Sequence, residues 1–243
     1  MKYLLFIVAV SCLLSGCANN SNSSSISEDS SEPTIATTTQ LDSSSSVSEP
    51  TEVIPPTTTP EPIEQSPSIE MIDGVTYVNG IIIANKTYPL PADYAPGVNT
   101  EAEQAFQTMK QAAANEGLNI YISSSFRSYQ YQEKLYNNYI ARDGKEKADT
   151  YSARPGHSEH QTGFAFDLNT IDDSFANTPE AKWVAEHAHE YGFIVRYPAD
   201  KTEITGFKYE PWHIRYLGVE TATKVYQSGL CLEEYLDITS VYA

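Results

Sequence analysis

The sequence predicts one folded domain of the α+β class at residues 69–243, preceded by a long segment that does not fold. Segments with apolar residues at helical spacing alternate with short runs of β-branched and aromatic residues, and turn residues bound each run. By contrast, residues 18–68 are rich in Ser, Thr, Pro and Glu and contain no aromatic residue. Because such a segment cannot bury enough apolar surface to offset its chain entropy, we expect 18–68 to be a disordered linker.

The first seventeen residues, MKYLLFIVAVSCLLSGC, have the pattern of an export signal. An early lysine precedes an apolar run, Leu4 to Leu14, which is too short to span a bilayer as a mature helix. The following Ser-Gly-Cys resembles the end of a bacterial lipobox, in which the cysteine is lipidated and becomes the new N-terminus. The alternative is an ordinary secretory signal cut near Ala18. We therefore expect an exported lipoprotein, held at the bacterial cell membrane through Cys17 and facing the cell wall.

Cysteine and charge counts narrow the function classes. Of the three cysteines, Cys12 lies in the signal and Cys17 would carry lipid, so Cys231 alone remains and no disulfide can support the domain. Cys231 sits between leucines, which predicts a small buried hydrophobe. The formal net charge of −17 includes eight acidic residues and no Lys or Arg within 18–68. The acidic balance argues against nucleic-acid binding, which needs a basic footprint.

The first elements of the domain follow from local signals. VTYVNGIII (75–83) places an Asn-Gly pair between two β-prone runs, which predicts a hairpin. A helix follows, with Thr100 and Glu103 forming a capping-box pattern at its start and Gly117 ending it. LNIYISSS (118–125) then alternates apolar and polar residues, as a half-buried strand does.

Two more helices and two more strands are predicted further along the domain. A second helix is predicted at about 129–141, before a glycine. A third, at 178–192, begins with a Thr-Pro pair suited to the cap and first turn and closes at a glycine. FIVRYP (193–198) and HIRYL (213–217) read as strands.

The stretch PGHSEHQTGFAFDL (155–168) contains two histidines three positions apart and an aspartate near its end. His160 and Asp167 are candidates for metal ligands, but this pair alone is weak evidence, because structural histidines and capping aspartates are common. A third residue from elsewhere in the chain is needed to complete a site.

The stretch YEPWHIRYL (209–217) supplies Glu210 and His213 at a spacing of three. Pro211 argues against a regular helix here, so the pair is not the helical HExxH motif. In a straight strand an odd separation would send the two side chains to opposite faces. A bend near Pro211 would let both converge.

These residues match the inventory of a catalytic zinc site. Two neutral imidazoles and one carboxylate can hold Zn²⁺ and leave a fourth position for water, whose pKa the metal lowers toward ~7. A carboxylate that is not a ligand must then accept the proton and pass it to the leaving amine. Glu210 is placed to do so.

The two motifs together resemble a known family. SEHQTGFAFD (158–167) matches the SxHxxGxAxD motif of the zinc D-alanyl-D-alanine carboxypeptidases, and EPWH (210–213) matches their ExxH motif. SSFRSYQYQEKLY (124–136) resembles the family's substrate-arginine segment, so the resemblance extends over about 90–217. This vancomycin-resistance-type group shares a metal-site core with lysostaphin-like endopeptidases and Hedgehog domains.

The resemblance implies a fold, a cofactor and roles for named residues. The fold would be a small, mainly antiparallel sheet with flanking helices and the zinc site on the sheet. One Zn²⁺ per domain would be bound and Glu210 would be the catalytic base, while Arg127 would pair with the terminal carboxylate or the reacting carbonyl oxygen of the substrate. The implied zinc ligands are His160, Asp167 and His213, and the residues implied to help hold the peptide end are Gln132 and Ser158.

Arg127 is also plausible without the resemblance. It follows a predicted strand that ends in three serines and precedes the next helix, where side chains reach the rim of a sheet. Its planar guanidinium suits a carboxylate. The alternative for Arg127 is a surface ion pair.

Other candidate residues fit less well. His157 lies in a turn, and could replace a ligand if the motif were misassigned. His187 and His189, at a spacing of two on a predicted helix, cannot face one metal together. The serines near Arg127 lack a G-x-S-x-G elbow, which argues against a serine hydrolase. Trp212 could line the site or contact the substrate.

The resemblance thus implies an enzyme that removes the terminal D-alanine from peptidoglycan stem peptides. It leaves open whether the bond follows a D-alanine or an L-centre. Two alternatives remain, namely an endopeptidase of the same fold and a wall-binding module that has lost catalysis.

Overall fold

The computed structural model describes residues 66–243. The predicted signal (1–17), the lipidation residue Cys17 and nearly all of the predicted linker (18–68) lie outside these residues. In the described part, none of the helices is long and apolar enough to cross a membrane.

The described residues form seven strands, seven α-helices and three 3₁₀ helices. The strands are β1 Ile69–Ile72, β2 Val75–Val78, β3 Ile81–Ile82, β4 Ile122–Ser124, β5 Ala165–Leu168, β6 Phe193–Val195 and β7 His213–Tyr216. The α-helices are α1 Thr100–Asn115, α2 Tyr129–Asp143, α3 Lys145–Ala148, α4 Pro179–His187, α5 Thr202–Thr205, α6 Val219–Ser228 and α7 Leu232–Tyr235. The 3₁₀ helices are Glu159–Thr162, Asp173–Asn177 and Ala188–Tyr191.

The strands form two small antiparallel sheets, in the orders β1-β2-β3 and β4-β5-β7-β6. The predicted α+β class with a small antiparallel sheet is therefore confirmed. The Asn-Gly hairpin is confirmed as well. Asn79 and Gly80 both have positive φ, 50° and 78°, as the tight turn between twisted strands requires, and Val78 pairs with Ile81 across it.

The start of α1 differs from the prediction. Asn99, not Thr100, is the N-cap, because its side chain accepts a hydrogen bond of 2.9 Å from the backbone of Ala102. Thr100 is the first helical residue, so the capping box with Glu103 is wrong. The backbone N–H of Asn99 donates to the carbonyl of Gly163 (3.0 Å), which holds Asn99 in the extended conformation that a cap needs.

Gly163 is required at this contact. Its φ is +81°, and a Cβ there would lie 2.1 Å from the carbonyl oxygen of Gly97. The glycine of the SEHQTGFAFD motif therefore lets the chain before α1 pack against the loop that carries the candidate ligands.

The predicted strand at 118–125 pairs over Ile122–Ser124 alone. Just before this strand, the backbone N–H of Tyr121 donates a 3.0 Å hydrogen bond to the side chain of Asn169. This side-chain bond takes the place of a backbone hydrogen bond between the two strands. The second and third predicted helices are confirmed, the third continuing as the 3₁₀ helix that ends at Gly192. The last two predicted strands are present but shorter, as β6 and β7.

The two central strands of the four-stranded sheet are buried on both faces, since every residue of β5 and β7 is buried. One face packs into the main apolar core against α1 and α4. The residues of this core from β5 and β7 are Phe166, Leu168, Ile214 and Tyr216. Because side chains alternate along a strand, the intervening residues face the other side. That face carries Asp167, His213 and Arg215. Cys231 is buried, as predicted, and is a free cysteine within residues 66–243.

Candidate metal centre

Three side chains from two segments of the chain meet on the polar face of the sheet. Asp167 of β5 and His213 of β7 are direct cross-strand partners, so their side chains project on the same face. His160 comes from the 3₁₀ helix that leads into β5. One ligand atom from each of the three residues lies within 4.8 Å of the others, and all three side chains are buried. This is the predicted ligand set, and its role as such stays a prediction.

The hydrogen bond of His160 determines which ring nitrogen is available to a metal. Its Nδ1 lies 2.7 Å from the carbonyl oxygen of Ser125, which can accept but not donate, so Nδ1 carries the proton. The buried Nε2 has no hydrogen-bond partner among the described residues. It lies 3.1 Å from a carboxylate oxygen of Asp167, so two lone pairs face each other. A cation between them would satisfy both groups.

The acid–base properties of the three residues suit a metal. Burial lowers the pKa of His160 to about 4, and Arg127 adds to the effect, so its imidazole is neutral near pH 7. Against the effect of burial, the two histidines hold the pKa of Asp167 well below its usual range. For His213, burial lowers the pKa, but Asp167 and Glu159 outweigh it and raise the pKa to about 9. The surroundings therefore favour a positive charge at this ring, which a bound metal would supply.

Glu210 lies beside the three residues but outside the ligand set. A turn through Pro211, closed by the 3.1 Å hydrogen bond from the backbone of His213 to the Glu210 carbonyl, brings the two side chains to the same side. The convergence expected from a bend near Pro211 is confirmed. The Glu210 carboxylate is 3.9 Å from Nδ1 of His213, and burial raises its pKa to about 7. A carboxyl in this state can both accept and return a proton near neutral pH.

Arg127 lies between β4 and α2, against the same centre. Its backbone N–H donates to the His160 carbonyl (3.2 Å), and its Nη2 is 4.0 Å from Asp167. Its buried Nε has no hydrogen-bond partner within the part of the chain that the structure describes. The guanidinium thus keeps donor capacity for an anionic group.

Gln132 and Ser158 line the same cavity. Gln132 is buried in α2, where its Nε2 donates to the Ala153 carbonyl (2.8 Å) while its Oε1 has no partner among residues 66–243. Ser158 is buried directly before the 3₁₀ helix that carries His160. The cavity has a volume of about 560 Å³ and also contains Glu210, Arg127 and all three candidate ligands. The structure therefore brings together, around one cavity, every residue of the folded domain that was predicted to belong to the site.

The other histidines lie outside the centre. Nδ1 of His157 is 2.7 Å from the carbonyl of Asn85, and its ring packs against Tyr242. His187 is hydrogen-bonded to Glu190, and the ring of His189 stacks on that of Tyr226. These three histidines are therefore structural or surface residues.

Trp212 has one of the two roles that the sequence left open, because it lines the cavity; contact with the substrate stays a prediction. It is buried in the main core and also lines the cavity, where the Lys208 ammonium lies 5.4 Å from its ring.

Sequence reasoning missed Glu159, which is buried between two arginines. One carboxylate oxygen accepts hydrogen bonds from Arg196 (2.7 Å) and Arg215 (3.0 Å), and the other lies 3.4 Å from Nε2 of His213. Although burial opposes ionisation, the two arginines hold the pKa of Glu159 well below its usual range. The available signal was the spacing of two between His213 and Arg215, which puts an arginine on the metal-facing side of β7 and demands a buried counter-charge.

The chain matches a family model and is similar to several carboxypeptidases from other bacteria. The family model for VanY, D-alanyl-D-alanine carboxypeptidase, matches residues 96–219. The putative carboxypeptidase YodJ of Bacillus subtilis is 35% identical over 198 residues, which are 70% of this chain and 72% of the relative. A D-alanyl-D-alanine carboxypeptidase of Enterococcus faecalis is 36% identical over 175 residues, and the match covers 65% of each protein. The chain thus spans just under two thirds of the enterococcal relative.

Solved structures give a closer match in length. The LD-carboxypeptidase LdcB is 43% identical, with a TM-score of 0.67, and the match covers 72% of this chain and 98% of LdcB. DacB from Streptococcus pneumoniae is 44% identical with a TM-score of 0.64, covering 72% of this chain and 97% of DacB. A zinc-bound mutant of the vancomycin resistance D,D-pentapeptidase VanY is 37% identical with a TM-score of 0.58, covering 64% of this chain and 97% of that one.

The ligand assignment predicts that His160→Ala lowers bound zinc from about one per chain to near zero, because a site with two ligands left binds weakly. Zinc is measured by elemental analysis after dialysis of the full-length protein. His157→Ala is the matched control, since His157 lies in the same loop but bonds to Asn85. Loss of zinc in His157→Ala and its retention in His160→Ala would show that the motif has been misassigned.

Proposed function

The chain belongs to the D-alanyl-D-alanine carboxypeptidase (VanY) family of zinc carboxypeptidases, and from this premise we propose that it is a peptidoglycan L,D-carboxypeptidase. It removes the terminal D-alanine from stem tetrapeptides, in which that residue follows an L-centre. One observation carries the choice of bond. The LD-carboxypeptidase LdcB matches at 43% identity over nearly its whole length, whereas the D,D-pentapeptidase matches at 37%.

The proposed zinc ligands are Nε2 of His160, the carboxylate of Asp167 and Nδ1 of His213. These atoms fit a metal because Nε2 of His160 is buried, unprotonated and without a hydrogen-bond partner in the described domain. When bound here, zinc would polarise the scissile carbonyl and lower the pKa of a bound water. Asp167, deprotonated at all but very acidic pH, supplies the negative charge of the site.

Glu210 moves the proton in the proposed mechanism. It takes a proton from the attacking water and delivers it to the amine of the leaving D-alanine. Its position, 3.9 Å from the proposed ligand atom of His213, keeps it close to the reacting atoms without making it a ligand.

The position of Arg127 favours an exopeptidase over an endopeptidase. Its guanidinium faces the cavity with unused donors and can bind the free carboxylate of a terminal residue. An endopeptidase substrate has no carboxylate at this position, and Arg127 would then have only the reacting carbonyl oxygen to bind. Gln132 and Ser158 are proposed to hold the backbone of the last residues.

A D,D-carboxypeptidase is the second candidate function. The observation in its favour is that the enterococcal relative and the matching family are both described as D-alanyl-D-alanine carboxypeptidases. The two functions share every proposed zinc and proton-transfer group, so they differ only in which penultimate centre the cavity accepts.

Digestion of defined stem peptides tests the proposed function. We expect the zinc-loaded protein to release D-alanine from the tetrapeptide with a catalytic efficiency at least ~10-fold above that for the pentapeptide, a difference of about 1.4 kcal/mol in transition-state binding. Mass spectrometry of the products is the readout. Preference for the pentapeptide would support the D,D function, and internal cleavage would identify an endopeptidase. Release of nothing from either stem would contradict the proposal.

Glu210→Gln separates the proton acceptor from the ligands. The amide keeps the shape of the side chain but cannot accept the proton, so turnover should fall by a factor of ~10² or more while bound zinc is unchanged. Turnover on the preferred stem and zinc content are measured on the same preparation. Loss of zinc would make Glu210 a ligand, and normal turnover would remove it from the mechanism.

We also propose that the protein is a lipoprotein anchored at Cys17. Cells grown with a labelled fatty acid should incorporate the label into the wild-type protein and into Cys12→Ala, but not into Cys17→Ala. Cys12 is the matched control because it lies in the same signal segment. An unlabelled wild-type protein, or label retained in Cys17→Ala, would contradict the anchor.

A further inference from the structure

The buried carboxylate of Glu159, which has no role in the proposed hydrolysis, contacts the proposed metal centre at His213. Glu159 is 2% exposed and precedes the proposed ligand His160. Its Oε2 lies 3.4 Å from Nε2 of His213, the ring nitrogen on the side away from Asp167. The same carboxylate is bonded through Oε1 to Arg196 and Arg215.

Glu159 is held in place by partners that are themselves fixed. Arg196 makes two hydrogen bonds to Glu233, of 2.8 and 2.5 Å. Arg215 donates to the backbone carbonyls of Ile82 (2.7 Å) and Tyr216 (3.1 Å). Every side chain in this network is almost completely buried. Glu159 therefore presents Oε2 to His213 from a rigid position.

This contact selects the tautomer of His213 once a metal is bound. Both ring nitrogens face carboxylate oxygens, Nε2 that of Glu159 at 3.4 Å and Nδ1 that of Asp167 at 3.1 Å, within the proposed ligand set. A metal held between Nδ1 and Asp167 would take the place of a proton there, and the ring proton would then remain on Nε2, where the Glu159 carboxylate accepts it. A carboxylate behind a metal-binding imidazole orients the ring and makes it a better donor.

We infer that Glu159 is a positioning residue for zinc, which holds His213 with Nδ1 toward the metal and Nε2–H toward its own carboxylate. The inference rests on the proposed zinc site. The competing explanation is that Glu159 only neutralises Arg196 and Arg215. The two explanations differ in what they predict for zinc affinity and for the His213 tautomer.

Glu159→Gln is the informative variant because an amide has one accepting and one donating end. Two arginine donors face the Oε1 position, so the amide oxygen should stay there. The amide nitrogen would then face Nε2 of His213 and donate to it. That arrangement favours the tautomer with the proton on Nδ1, which cannot bind zinc.

Glu233→Gln is the matched control. Glu233 is equally buried and also pairs with Arg196, but it makes no hydrogen bond to His213. Replacing it removes one charge from the same network and leaves the carboxylate behind His213 in place. A purely structural role predicts similar effects for the two substitutions.

Zinc affinity is measured on the full-length protein by competition with a chelator, after circular dichroism has verified folding. We expect Glu159→Gln to bind zinc about 10- to 100-fold more weakly than wild type, and Glu233→Gln within about threefold of it. Equal affinities in all three proteins, or equal losses in both variants, would overturn the inference. A wild-type protein that binds no zinc would instead overturn the proposed function.

A measurement on the wild-type protein decides the question if Glu159→Gln does not fold. Nitrogen-15 NMR of the zinc-loaded protein reports the state of each ring nitrogen of the five histidines. We expect His213, assigned through its loss in His213→Ala, to have zinc on Nδ1 and a slowly exchanging proton on Nε2. Zinc on Nε2, or an Nε2 proton that exchanges as fast as that of an exposed histidine, would overturn the inference and leave the zinc site itself intact.

Discussion

The buried ion network around Glu159 is the constraint on which the site depends. It joins the 3₁₀ helix before β5, the residue after β6, β7 and α7 through direct hydrogen bonds. Taking ions out of water costs several kcal/mol each, and their mutual attraction offsets this only when the geometry is good. Apolar residues of similar volume could serve stability as well. The network is therefore better explained by what it orders, namely the segments that carry His160 and His213.

One face of the four-stranded sheet stabilises the domain, and the other face carries the proposed metal centre. In β5 and β7, alternate residues enter the apolar core against α1 and α4, while those between them form the metal centre and its supporting charges. A shift of one residue in the pairing of β5 with β7 would move Asp167 away from His213 and send charged side chains into the core. The same apolar packing that stabilises the domain thus fixes the cross-strand distance between two proposed ligands.

The cavity combines opposite charges at short range. Asp167 and Glu210 lie on the side of the metal centre, and Arg127 stands beside them with donors still free. Because Asp167 and Glu210 are buried, these groups interact more strongly than they would at the surface. Under the proposed function, an anionic peptide end would bind the arginine, and the acidic groups would favour a cation between them.

The sequence by itself determined the local elements and the identity of the chemical groups. The Asn79-Gly80 turn and the helix ends at Gly117, Gly144 and Gly192 depend on backbone conformations that neighbouring residues dictate. The two spaced motifs supplied His160, Asp167, His213 and Glu210, which meet as expected.

The tertiary structure decided those features that depend on contacts between distant segments of the chain. Asn99 replaced Thr100 as the helix cap because its backbone bonds to Gly163, sixty-four positions away. The strand at 118–125 was shortened by Asn169, whose side chain replaces a ladder bond. Glu159 looked like one more polar loop residue, and its role depends on Arg196, Arg215 and Glu233, which no local pattern connects to it. Hydrogen bonds between segments far apart in the chain leave no periodic trace in the sequence, so only the folded molecule shows them.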